Sequence, residues 1–284
     1  MNVSRAIHHI QQVAKCPSFS TYEERLHPYI LQTFDGTEDS EQIECAGNNL
    51  IFRIGNEAAK PTIAIAAHLD KINHYGKSYP EKLPMKLKEQ HIEGAMDDSA
   101  GVGLLLALAE ASAEEKWPNL LFFFSEMEES KGLREHPQLL KNEGEGYIHG
   151  MGSRRIAHRC QELRQIPETI ITIDTTPLFK GESGIAIYAK HWDLNDLEAT
   201  KSLKKKTKKV ISSFQAIDPQ IELHNNTNDY LHYGYEFNHN TGQDVVSIAL
   251  ESSINPYHQK GEQVFIRDIR RLYRTMITYF NKNK

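Results

Sequence analysis

A chain of 284 residues, 39% hydrophobic and 25% charged, can bury a sizeable core by itself, which excludes the small scaffolds that depend on disulfide or metal staples. Its formal net charge of -5 speaks against a partner gripped through phosphates, so no nucleic acid is expected. Cys16, Cys45 and Cys160 are odd in number and widely spaced, which excludes a disulfide framework and favours a reducing compartment.

Residues 2–15 form the first predicted helix, with Ile7, Ile10, Val13 and Ala14 at helical spacing and Pro17 as the stop. The same N-terminal stretch carries His8, His9, Gln11 and Gln12, so it does not read as a signal peptide. A second helix is predicted over 22–33 and strands over 49–54 and 62–67, the latter apolar enough to be buried on both faces. Residues 71–93, polar and interrupted by Pro80 and Pro84, read as a long loop. A Leu- and Ala-rich helix follows over 99–113; its apolar run, 102–109, is too short to span a bilayer, so a cytoplasmic location without a membrane partner is expected. Then come a strand at 120–124, a glycine-containing loop at 135–152, a helix at 154–163, and strands at 169–173 and 185–189. A Lys-rich helix over 194–214, strands at 221–223 and 245–250, and a helix over 264–280 complete the chain.

Strands alternating with helices predict an α/β fold: a mainly parallel or mixed central sheet with helices on both faces, a three-layer sandwich. No repeat or linker divides the chain, so one catalytic domain over 1–284 is expected, with loop insertions near 71–93 and 190–240.

In such sheets ligands bind beyond the carboxyl ends of the strands. Five segments place acids or histidines there: His68-Leu69-Asp70, then Asp97-Asp98 ahead of a helix, Glu126 with Glu128-Glu129, Asp174, and His258. Each alone has an ordinary explanation, such as a capping Asp or a solvated Glu pair. Together they suit a metal site, because each ion needs several N and O ligands arriving from different directions.

The order His-x-Asp, Gly-Ala-x-Asp-Asp-x-Ala-Gly over 94–101, Glu-Glu, Asp, His resembles the co-catalytic zinc aminopeptidases of family M28, related to M42 and M20. Glu128-Glu129 ahead of Gly132-Leu133 is similar to the family's Glu-Glu-x-Gly-Leu pattern with one extra residue, and Glu262 stands four residues after His258. Met96 and Lys71 are not the commonest neighbours of these motifs, and the gap between His68 and Asp97 is too short for an M42-type lid. The resemblance implies an aminopeptidase-like fold and two divalent ions, zinc first, with cobalt or manganese also suited. His68, Asp97 and Asp174 would hold one ion, Asp97, Glu129 and His258 the other. Asp70 would receive the free N–H of His68, a cis bond would join Asp97 to Asp98, and Glu128 would be the general base. The substrate would be a peptide or small amide. Hydrolysis of another amide, carboxypeptidase action, glutaminyl cyclisation and an inactive binding relative are the alternatives.

Weaker signals surround this set. Glu126 is an extra acid, Asp244 a candidate for a substrate amine or a turn cap, and Tyr257 a candidate donor to an oxyanion. The stretch 225–240, with Tyr230, His232, Tyr233, Tyr235 and His239, reads equally as a pocket wall or a surface loop. Among the basic residues adjoining the motifs, Lys71, Lys131 and Arg134 are read as solvated, and an acid-rich site attracts an ammonium in preference to a carboxylate. The lysines of 204–209 read as a solvated helix face. The sequence leaves oligomeric state open.

Overall fold

A computed structural model describes residues 3–55, 63–115, 117, 119–129, 150–194, 198–224 and 232–283. Helix α1, Val3–Lys15, buries Ala6, Ile10, Val13 and Ala14 along one stripe. The helix predicted over 22–33 is instead a 3-10 turn, Glu23–Arg25, followed by α2, His27–Asp35. Pro28 explains the break: lacking an N–H and constraining the residue before it, it is tolerated only in the first turn.

The strands β1 (Ser40–Ile43), β2 (Leu50–Ile54) and β3 (Ile63–His68) follow. Residues 71–93 are not one loop, because they contain β4, Lys86–Leu87, and the start of β5, His91–Gly94. After α3, Ser99–Glu115, come β6 (Leu120–Ser125), α4 (Met151–Glu162), β7 (Thr169–Thr176) and β8 (Ile185–Tyr188). The predicted Lys-rich helix starts later, as α6 (Lys201–Ile217), because Thr200 caps it through its hydroxyl to Leu203 N–H at 2.9 Å; a short α5 (His191–Leu194) lies ahead of it. Leu203, Thr207, Val210 and Phe214 of α6 point inward, and its lysines are exposed. Strand β9, Glu222–His224, precedes α7, His232–Thr241, a helix within the stretch expected to be a pocket wall or a surface loop. Strand β10, Val246–Ser253, β11, Glu262–Phe265, and α8, Ile266–Lys282, end the chain. Val264 and Phe265, assigned by periodicity to the last helix, belong to the strand before it.

Among the described residues, eight strands form one mixed sheet in the order β1-β2-β6-β3-β7-β10-β8-β9. Its centre, β6-β3-β7-β10, is parallel. Alternation along the strands feeds two cores. Leu50, Phe52, Ile65, Phe122 and Phe124 face one side, with α1, α3 and α8. Ile51, Ala64, Ala66, Leu121 and Phe123 face the other, with Ile156 and Cys160 of α4 and Phe237 of α7. A second sheet, β11-β5-β4, pairs Glu262 with Gly94 and so brings the segments carrying Asp97 and His258 together. Among the described residues, no helix is long and apolar enough to cross a membrane.

Candidate metal centre

The parallel strands deliver their ends to one place. His68 is the last residue of β3, Glu128 and Glu129 follow β6, Asp174 lies two residues before the end of β7, and Asp97 precedes α3. His258 arrives on the loop from β10 to β11. His68 Nε2 lies 3.1 Å from Asp97 Oδ1, and His258 Nε2 lies 3.3 Å from Asp97 Oδ2. Asp174 Oδ1 is 3.7 Å from His68 Nε2, and Glu129 Oε1 is 3.2 Å from His258 Nε2. Two triads with mutually close donor atoms result, His68-Asp97-Asp174 and Asp97-Glu129-His258, sharing Asp97. A third grouping, His68-Glu128-Glu129, also converges, with Glu128 Oε2 3.9 Å from His68 Nε2.

Packing this many acids together has an electrostatic cost. Burial, then the field of Asp97, pushes Glu129 up to about 7, and burial raises Asp174 and, more strongly, Glu128. Burial would likewise raise Asp97, but its hydrogen bonds to His258 and His68 hold it below the usual carboxylate range. Burial alone would lower His68, yet Asp174, Asp70 and Asp97 lift it. Two imidazoles and four carboxylates in one buried cluster form a hard and borderline donor set with excess negative charge, which fits a divalent cation.

Supporting contacts differ in part from expectation. The Asp97–Asp98 peptide bond is cis, as the resemblance implied. His68 Nδ1 lies 2.9 Å from the Asp70 main-chain oxygen and 3.4 Å from its carboxylate, so the carbonyl is the nearer acceptor. The Asp70 carboxylate instead accepts the N–H groups of Glu128 and Glu129, both at 2.9 Å, and the Ser20 hydroxyl at 2.7 Å. Glu126 is not part of the cluster: it is bound by Arg155 at 2.6 Å and by Asn49 and Asn48 N–H. Asp98 accepts Gly101 N–H at 2.7 Å at the head of α3, and Asp244 accepts from the Thr200 hydroxyl. Tyr257 stacks on His258, ring centroids 3.6 Å apart, and burial together with the surrounding carboxylates raises its phenol.

Lys71 overturns the expectation of a solvated side chain. It is 2% exposed, and its ammonium donates to Val13 O, Cys16 O and Ser18 Oγ (2.6 Å), closing the carboxyl end of α1. Burial pushes it down to about 8. Lys131, Arg134 and Gly132-Leu133 lie outside the described residues, as do 225–231 and the His232 side chain.

Three acids escaped the sequence reading or had no role in it. Glu262 accepts Met96 N–H at 2.8 Å and Asp97 N–H at 3.2 Å, fixing the backbone of the shared ligand. Glu23 is fully buried beneath the Glu128 loop. Glu251 sits beside Asp174 in the β10–β7 register, one residue past the predicted strand end. An acid directly after an apolar run was the available signal for Glu251; Glu23 had none.

A cavity of about 300 Å³ opens on Asp97 and Glu129 and is walled by Phe19, Ile72, Tyr75, Leu83 and Met85. A much smaller recess is lined by His68, Ser125, Glu128, Asp174 and Tyr233.

A family model described as Peptidase family M28 matches residues 49–277. No curated protein matches the chain. A TET aminopeptidase from a marine sediment archaeon of the Thaumarchaeota superposes with a TM-score of 0.71 at 10% identity, covering 99% of this chain and 97% of that one. An aminopeptidase from the archaeon Desulfurococcus kamchatkensis gives 0.66 at 12% identity, covering 99% and 95%. A leucine aminopeptidase precursor from Bacteroides thetaiotaomicron gives 0.65 at 13% identity, covering 98% and 96%. At these identities the likeness establishes the fold.

Proposed function

Because the chain belongs to peptidase family M28, and is on that ground a metal-dependent peptidase, we propose that it removes residues from the free amino end of peptides with two divalent ions, zinc by preference. The observation that carries this reading is the position of Asp97, which offers one carboxylate oxygen towards His68 and the other towards His258. One ion would be held by His68, Asp97 and Asp174, the second by Asp97, Glu129 and His258. When bound, such ions supply Lewis acidity, polarising a carbonyl and acidifying water.

The remaining steps belong to side chains. Glu128, its carboxyl raised well above the usual range by burial and its main chain pinned by Asp70, takes the proton from the attacking water and returns it to the leaving amine. The acidic recess lined by Glu128 and Asp174 attracts the substrate ammonium. Lys71, committed to α1, offers no grip for a terminal carboxylate. The larger cavity takes a substrate side chain against Phe19, Tyr75 and Met85. Three free cysteines support a reducing, cytoplasmic setting for this single catalytic domain.

A panel of free-amine peptides, assayed as purified, with chelator, and after zinc is restored, tests the reading. Cleavage from the amino end that chelator abolishes and zinc recovers is expected, with two ions per chain by elemental analysis. Turnover indifferent to chelator would sink it.

A further inference from the structure

The loop carrying Glu128 is suspended from side chains. Its four consecutive amides each donate to a side-chain oxygen: Glu126 to Asn49 Oδ1 at 3.0 Å, Met127 to Glu23 Oε1 at 3.2 Å, and Glu128 and Glu129 to the two oxygens of Asp70 at 2.9 Å each. Glu23 is the member whose place here is least expected. It belongs to the 3-10 turn after α1, outside residues 49–277, and it is 0% exposed. Burying a carboxyl group is costly unless its oxygens are satisfied, and burial pushes this one up to about 8. Its oxygens are well used. Oε1 accepts Thr21 N–H at 2.9 Å as well as Met127 N–H, and Oε2 accepts the Asn48 amide at 2.8 Å.

The two amides that share Oε1 belong to residues with left-handed backbones, Thr21 at φ 72° and Met127 at φ 57°. Residues with a Cβ enter that region at a cost and stay there only when their surroundings hold them. Met127 immediately precedes Glu128, so its backbone angles set the direction in which Glu128 leaves the chain.

We propose that Glu23 is a positioning residue for the reaction: one of its carboxyl oxygens fixes the left-handed turn at Met127 and thereby aims Glu128 at the substrate. The proposal rests on the reading of Glu128 as the general base. Its structural half, that Glu23 holds the 126–129 loop, stands apart from that reading and is measured separately.

The test compares Glu23→Gln, which keeps the accepting oxygen, with Glu23→Met, which keeps the shape and removes it. Two readouts are taken on the full-length protein: kcat and KM with metal content, and amide hydrogen exchange of the peptide spanning 126–129 in the metal-free protein. Displacing a base by about 1 Å costs on the order of 100-fold, so Glu23→Met should lose roughly 30- to 100-fold in kcat, with KM and bound metal within about threefold of the parent. Its 126–129 amides should exchange faster. Glu23→Gln should match the parent within about threefold in kcat and in protection. Should Glu23→Met not fold, Glu23→Asp, whose oxygens are withdrawn by one methylene, should show the same pattern with a smaller loss. Unchanged kcat and protection in Glu23→Met, or in Glu23→Asp where it stands in, overturns the proposal. So does a Gln variant as impaired as the Met variant, or a loss confined to KM or metal content. A parent protein without peptidase turnover would refute the proposed function, while the exchange comparison would still decide whether Glu23 holds the loop.

Discussion

Gly103 and Ile10 meet backbone to backbone: a Cβ on Gly103 would stand 2.5 Å from the Ile10 nitrogen and 2.7 Å from its Cα. This contact lets α3 lie flush on α1, and main-chain atoms cannot rotate out of the way. Gly103→Ala would gain about 1 kcal/mol of helix propensity. The forced separation of the two helices should outweigh that gain, leaving a net destabilisation of about 2–4 kcal/mol. Denaturant midpoints of parent and variant measure it, and equal midpoints would show that the helices part freely.

Glu128 and Glu129 are neighbours with different assignments. Glu128→Gln should abolish turnover and leave metal content near that of the parent, whereas Glu129→Ala should reduce bound metal. Elemental analysis beside steady-state kinetics separates the two. Equal metal loss in both variants would mean that Glu128 is itself a ligand, as the His68-Glu128-Glu129 grouping allows.

His191 supplies a pH dependence away from the site. Its ring lies under Gly234, where a Cβ would come within 2.4 Å of Cγ, and near the Asn238 amide at 3.2 Å from Nε2. Burial pushes it down to about 4, opposed in part by a hydrogen bond with the Ser247 backbone. The unfolded chain therefore takes up a proton near pH 6.5 that the folded chain refuses until about pH 4. Stability from this residue is intact above pH 6.5 and lost as pH falls towards 4, by up to about 3 kcal/mol. His191→Gln should flatten the decline in unfolding free energy over that window relative to the parent. Parallel pH–stability curves would refute the assignment.

Amine recognition makes a prediction about the ends of the substrate. Acetylating the amino terminus of a good peptide should remove cleavage, and amidating its carboxyl terminus should not. Rapid cleavage of the acetylated peptide with resistance of the amide would reverse the polarity of the site. Arg134 would then be the residue to substitute, since Lys71 is bound to α1.

The side chains of the cluster were legible because each follows or precedes an apolar run, and a parallel sheet sends those ends to one edge. His68 after Ile63–Ala67 and Asp174 within β7 needed only strand recognition. Their supports were hidden. Ser20 and Glu23 lie where no periodicity exists, and they act through contacts some 50 and 104 residues away in sequence. Strand β1 is polar because it is an edge, with Glu41 and Gln42 exposed, so alternation could not reveal it. Helix α7 is hard to read from sequence because, among its described residues, only Tyr233, Gly234 and Phe237 are buried among polar neighbours, too short a stripe to outweigh composition. The burial of Lys71 is not legible in the sequence because a buried ammonium is rare, and nothing local announces three oxygen partners from α1 and the segment after it.

Phe19 bridges to Lys71 in parallel, so residues 18–20 run alongside 70–72 like an added fragment of strand. This has a consequence for transplanting the site. Residues 49–277 contain every side chain of the two triads, so a graft guided by shared motifs would carry over a full set of ligands. It would leave behind Ser18, which takes a hydrogen bond from Lys71, Ser20, which donates to Asp70, and Glu23, which receives Met127. Such a hybrid should bind ions and still catalyse poorly, because the mould in which the ligands are cast would have stayed with the donor.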